Sequence, residues 1–162
     1  RAIEATVQLN KKLDAKVYFV IGGSRGVFTK RLSLLIKELG ASEYVKQIGF
    51  VSDVDLAGLN KSSLGFLYPS LTEGFGLQGL EAMSAGTLVL CSNIPVFKEI
   101  YSDFATYFNP LDFSSIAASM RFAIELDEEK RNKLIKASQR FIRKYSWQKM
   151  AKETLGVYNS VI

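Results

Sequence analysis

Apolar residues recur along the chain in two alternating rhythms, short continuous runs and spacings of three or four residues. Ile3, Val7 and Leu9 precede Lys11 and Lys12 at helical spacing, so the chain is expected to begin inside a helix cut from a longer protein. Residues 15–21 form a β-branched and aromatic run ending at Gly22-Gly23, which predicts a strand buried on both faces. Leu32, Leu35, Ile36 and Leu39 predict a helix over 30–39 that stops at Gly40, and 47–51 reads as a second strand leading to Ser52-Asp53. The alternation continues with a helix at 56–60, strands at 64–68, 87–91 and 105–108, and helices at 77–85 and 96–100. Beyond Ser114 the pattern is helical only, carried by Ile116, Met120, Ile124, then Leu134, Ile135, Phe141, Ile142, then residues 147–158.

Strand, helix, strand in units this short implies parallel strands joined by right-handed crossovers. The expected fold is α/β: a Rossmann-like, doubly wound parallel sheet of about five strands, with C-terminal helices. The 162 residues fit one domain, with 114–162 as its helical part. Ligands of such sheets bind outside the carboxyl ends of the strands, which directs attention to the loops after Ile21, Val51, Tyr68 and Cys91.

Composition narrows the chemistry. The chain has no histidine and one cysteine, which excludes an internal disulfide, histidine-based serine hydrolysis and most zinc sites. No apolar run approaches the roughly twenty residues of a membrane span, so the cytoplasm is the default location. The net charge of +5 gathers near the C-terminus, in Lys130, Arg131, Lys133, Lys136, Arg140, Arg143 and Lys144. Their mixture with Leu134, Ile135, Phe141 and Ile142 reads chiefly as a packed helix with a solvated basic face. Peripheral contact with an anionic membrane is the alternative, and nothing in the pattern indicates nucleic acid.

The most informative stretch is Tyr68-Pro69-Ser70-Leu71-Thr72-Glu73-Gly74-Phe75-Gly76-Leu77-Gln78-Gly79-Leu80-Glu81. Glycines flanking one aromatic between a strand and a helix let the backbone turn tightly and present free N–H groups at a positive helix end, where an anion fits. Glu73 and Glu81 beside a phosphate would repel it unless occupied, and a carboxylate accepts well from the vicinal hydroxyls of a sugar. The plainer alternative makes Glu81 a solvated helix residue and Phe75 a core plug. Gly22-Gly23-Ser24-Arg25-Gly26 could cradle a second phosphate with Arg25 as donor, or be an ordinary flexible loop. It lacks the ending of an ATP-hydrolysing P-loop. Gly49-Phe50-Val51 offers an apolar shelf suited to a base ring, against the alternative of a strand simply ending there. Ser92-Asn93-Ile94-Pro95 is placed to close the sugar side of a pocket, with Pro95 opening the next helix. Cys91 reads as a small buried hydrophobe, and Asp53 with Asp55 as caps of the following helix in preference to a metal site.

The run from Tyr68 to Leu77, continued by Leu80-Glu81-Ala82-Met83-Ser84-Ala85-Gly86 and Glu99, resembles the signature of retaining glycosyltransferases of the group 1 family. Glu73 and Glu81 match its pair of glutamates separated by seven residues, and Gly49-Phe50-Val51 and Tyr145-Ser146-Trp147 fall in order around it. The resemblance implies the C-terminal, donor-binding half of a two-domain GT-B enzyme that moves a hexosyl group from a UDP-sugar or GDP-sugar to a hydroxyl, with no required metal or other cofactor. It implies Glu73 against the transferred sugar, Glu81 on the ribose hydroxyls, Gly74, Phe75, Gly76 and Leu77 at the sugar and diphosphate, and Gly49, Phe50 and Val51 at the base. Gly23 and Arg25 remain a second candidate phosphate contact. The family's diphosphate-clamping Arg and Lys and its acceptor-binding N-terminal domain, the natural partner of this one, have no counterpart here. A fragment of this kind is expected to bind donor weakly, to catalyse no transfer, and to leave a sheet edge open where a first strand is missing. A non-catalytic nucleotide or phospho-sugar binding domain and a nucleotide-sugar isomerase of the same plan are the rival readings.

Overall fold

In the computed structural model, which describes residues 1–23 and 26–161, the predicted alternation is present from end to end. Helix α1 (Ala2–Asn10) precedes β1 (Phe19–Gly22), α2 (Val27–Glu38), β2 (Val45–Gly49) and α3 (Asp53–Ser62). These are followed by β3 (Phe66–Tyr68), α4 (Leu77–Ala85), β4 (Val89–Ser92), α5 (Pro95–Tyr101) and β5 (Thr106–Phe108). Helices α6 (Phe113–Glu125), α7 (Glu128–Phe141) and α8 (Trp147–Ser160) complete the chain. Helix α4 has the predicted bounds because a left-handed glycine stands at each end, Gly76 at φ 92° and Gly86 at φ 88°, a conformation costly for any other residue. Pro95 opens α5, where its missing N–H costs nothing.

Every strand pairing is parallel, with Phe19 opposite Val45, Phe66 opposite Val89 and Leu90 opposite Thr106. The five strands form two sheets, β1-β2 and β3-β4-β5, and among the described residues β1 and β3 each pair along one edge only. Helix α1 joins the two. Ile3 packs with Ile36, Ala41, Tyr44 and Val45 around the first sheet, whereas Ala5 and Leu9 pack with Leu88, Leu90, Phe108 and Ile116 around the second. Fully burying a side chain such as Leu9 is worth about 1.5–3 kcal/mol, so a short helix can hold both halves together.

The expectation that the first strand is buried on both faces is corrected. Phe19 and Ile21 pack against α1 and α2, but Val20 between them is exposed, because the small sheet is covered on one side. Strand β4, the middle of the other sheet, is the one buried throughout. On α7 the basic residues are exposed as predicted, with one exception. Arg131 turns inward, donating to the Leu64 carbonyl at 2.7 Å and to the Ala123 carbonyl, and so fastens α7 to the start of β3. Phe141 stacks on Phe104 at 4.3 Å between centroids. No helix among the described residues is long and apolar enough to cross a membrane.

Candidate functional site

Strand β3 delivers Tyr68 to Pro69, and the loop to α4 ends in the buried, left-handed Gly76. A Cβ at Gly76 would lie 2.8 Å from Phe97 Cε1, so glycine is required there for space as well as for φ. The Gly76 carbonyl accepts the Gly79 N–H at 3.1 Å and the Tyr101 hydroxyl. Helices α3, α6, α7 and α8 begin with side-chain caps from Ser52, Asp112, Asp127 and Ser146. The start of α4 has none, so its leading amides carry the positive end of the helix without a side-chain acceptor.

Beside this helix end stand three polar groups. Burial, and then hydrogen bonding to Glu73 and the charges of Glu73 and Glu81, push the Tyr68 phenol up to about 12. The phenol therefore stays protonated at neutral pH and available as a donor next to two carboxylates. Glu73 is half-buried in the loop, and Glu81 is exposed on α4. Below them runs an aromatic file: Phe66 meets Tyr68 edge-on at 5.4 Å, Tyr68 lies 4.6 Å from Phe97, and Phe97 lies 5.2 Å from Tyr101. Phe75 is no core plug. It remains 40% exposed, edge-to-face with Tyr145 at 5.9 Å.

The other predicted groups gather on the first sheet. Gly23 N–H donates to the Gly49 carbonyl at 2.8 Å, which sets Gly23 against the end of β2. A cleft of about 370 Å³ opens there between Gly26, Thr29, Lys30, Gln47, Ile48 and Gly49. Arg25 lies outside the described residues. Phe50 is exposed and, with Val51, Val54 and Leu59, lines a neighbouring apolar groove of about 500 Å³. Neither depression includes residues 73–81, so the sequence candidates form two groups at strand ends, and α3 packs on α4.

Ser92 closes on the loop side, its hydroxyl donating to the Tyr68 carbonyl at 3.3 Å. Cys91 is fully buried, and burial pushes its thiol up to about 12, which suits an inert core residue. Asp53 and Asp55 do not cap α3: they occupy its first turn, and the cap is Ser52, whose hydroxyl accepts the Asp55 N–H and donates to the Asp55 carboxylate at 2.7 Å. Among the described residues no cluster of acidic or cysteine side chains is suited to a metal ion. Tyr101, Phe97, Thr29 and Lys30 are the additions the sequence did not single out. For Tyr101 the only advance sign was a large polar-tipped aromatic on a short helix that needed a hydrogen-bond partner.

The family model for glycosyl transferases group 1 matches residues 1–141. The O-antigen chain mannosyltransferase B of Escherichia coli is 30% identical over 139 residues, 86% of this chain and 36% of that protein. The Anabaena Alr3699/HepE structure in complex with UDP and glucose superposes with a TM-score of 0.84 at 20% identity, covering 99% of this chain and 44% of that one. The C-terminal domain of a glycosyl transferase group 1 family protein, LpcC, from Francisella tularensis gives a TM-score of 0.72 at 26% identity over 88% of this chain and 75% of that one. The chain spans less than half the length of the curated relatives it matches.

Proposed function

The chain belongs to the glycosyl transferases group 1 family, and from that premise we propose that it is the donor-binding, C-terminal domain of a retaining hexosyltransferase using a UDP-sugar or GDP-sugar. The observation that carries the reading is the uncapped start of α4 with Glu73 beside the protonated Tyr68 phenol, and Glu81 of the same helix near enough for its charge to act on that phenol. An uncapped helix end with a glycine at φ 92° suits a diphosphate, and two carboxylates beside it suit hydroxyl groups more than further anions. A UDP-bearing solved relative and a mannosyltransferase relative support the donor class.

In this assignment the backbone from Gly74 to Leu77 meets the sugar and diphosphate, Glu81 accepts from the ribose hydroxyls, and Glu73 faces the transferred sugar. Gly49, Phe50 and Val51 border the base, and Gly23 and Arg25 are assigned as a second phosphate contact, Arg25 from the sequence alone. The acceptor oxygen attacks the anomeric carbon from the side the nucleotide leaves. The bond to the diphosphate oxygen breaks, the bond to the acceptor forms, and the departing diphosphate takes the acceptor proton. The chain's part is electrostatic: amides of the α4 terminus offset the charge developing on the diphosphate, and Glu73 offsets positive charge on the sugar ring. No metal is assigned a role. The 162-residue chain alone binds donor weakly and transfers nothing, the acceptor side belonging to a partner domain.

Glu73→Gln in the complete transferase tests this. Donor affinity retained within about threefold, with transfer lowered at least a hundredfold, is the expected result. Unchanged turnover in that variant refutes the role of Glu73, and a wild-type protein that binds donor without transferring or hydrolysing it refutes the transferase assignment.

A further inference from the structure

We propose that Tyr101 is a positioning residue for the donor site: its hydroxyl and ring hold Gly76 in place and thereby aim the first amide of α4 at the diphosphate. The proposal rests on the donor-site reading above and extends it to a residue 25 positions beyond the loop.

Tyr101 ends α5 and is fully buried. Its hydroxyl donates to the Gly76 carbonyl, which also accepts the Gly79 N–H, so both lone pairs of that oxygen are engaged. The Gly76 carbonyl and the Leu77 N–H belong to one planar trans peptide and point in opposite directions. A hydroxyl that anchors the carbonyl therefore also orients the Leu77 amide, the first donor of the uncapped helix end. The ring adds a second constraint. It fills the space a side chain on α4 would need, since a Cβ at Gly79 would lie 2.5 Å from Tyr101 Cζ and 2.9 Å from Cε1. The ring is seated in turn on Phe97, and Phe97 on Tyr68, so the brace under the glycine loop is continuous with the phenol beside Glu73. Burial raises the Tyr101 phenol pKa, which keeps the hydroxyl a donor across the working pH range.

The test compares Tyr101→Phe with Tyr107→Phe in the isotope-labelled chain, reading amide exchange at residues 77–80 and the affinity for UDP and for GDP by NMR titration. Tyr107 is the control, because its hydroxyl also binds backbone carbonyls, of Ser102 at 2.6 Å and Phe97 at 3.1 Å, without touching the loop. Tyr101→Phe is expected to speed exchange at Gly79 and to weaken the bound nucleotide about tenfold, the size of one lost buried hydrogen bond. Tyr107→Phe is expected to lower stability and leave both readings unchanged. Gly79→Ala, which displaces the same ring while keeping its hydroxyl, is expected to act in the same direction as Tyr101→Phe. Unchanged exchange or affinity in Tyr101→Phe, or equal effects from Tyr107→Phe, overturns the role of Tyr101. Wild-type chain that binds neither nucleotide, with loop exchange responding to Tyr101→Phe alone, leaves Tyr101 as the brace of the loop and overturns the donor-site reading instead.

Discussion

Replacing Gly79 by alanine places two ordinary effects in opposition, and the structure decides between them. In an open helix, alanine is favoured over glycine by about 1 kcal/mol, because glycine loses more backbone freedom on folding. At Gly79 the added Cβ would sit 2.5 Å from Tyr101 Cζ and 2.9 Å from Cε1, distances real Cβ atoms do not tolerate. Tyr101, fully buried, can yield only by giving up packing on Phe97 and the geometry of its hydroxyl bond to the Gly76 carbonyl. Overpacking of this kind costs about 1–3 kcal/mol, so Gly79→Ala should destabilise the chain by up to about 2 kcal/mol net. Gly58 on α3 supplies the contrast: it is exposed and helical, and a Cβ there meets nothing within 4 Å, so Gly58→Ala should stabilise by about 0.5–1 kcal/mol. Urea unfolding followed by circular dichroism measures both, with unchanged m-values expected. Two shifts of the same sign would show that the packing of Tyr101 on α4 does not decide the sign at Gly79.

Two further outcomes follow from burial and charge. The Tyr68 phenol and Cys91 thiol are both pushed up to about 12 from ordinary values of 10.0 and 9.0, and burial also raises Tyr101 and Tyr107. The folded chain therefore holds protons that the unfolded chain releases, so this contribution to stability is fully present below about pH 9 and is lost as pH rises toward 12. Urea midpoints that stay flat from pH 9 to 11, or labelling of native Cys91 by a thiol reagent at pH 9, would contradict this. Leu9→Ala should cost about 2–5 kcal/mol, since Leu9 is buried in the cluster that fixes α1 to the β3-β4-β5 sheet. A loss under about 1 kcal/mol in the unfolding midpoint would show that α1 is not the link between the sheets.

Local signals were readable along the chain, and long-range ones were not. Helix α4 stands out because its glycines and apolar spacing act within a few residues, and the same nearness puts Glu73 and Gly76 in the loop before it and Glu81 on the helix itself. The exposure of Val20 was not legible, because a continuous apolar run does not reveal which face of a strand a neighbour will cover. Nor was the division into two sheets, which depends on which strands meet across the fold. Arg131 looked like one more residue of a solvated face, yet its carbonyl partner at Leu64 lies 67 positions away. Tyr101 is not legible in the sequence for the same reason: its hydroxyl meets the Gly76 carbonyl of a loop 25 positions away, with which it shares no periodicity.

Whether the glycine turn at the start of α4, with Glu73 and Glu81, forms the proposed nucleotide-sugar site is tested by calorimetric titration of UDP and GDP into the full-length protein, wild type and Glu81→Ala. Saturable binding of one nucleotide is expected, weakened about tenfold by the substitution if Glu81 accepts from the ribose hydroxyls as proposed. Absence of binding for both nucleotides, or an affinity indifferent to Glu81, would contradict the proposal.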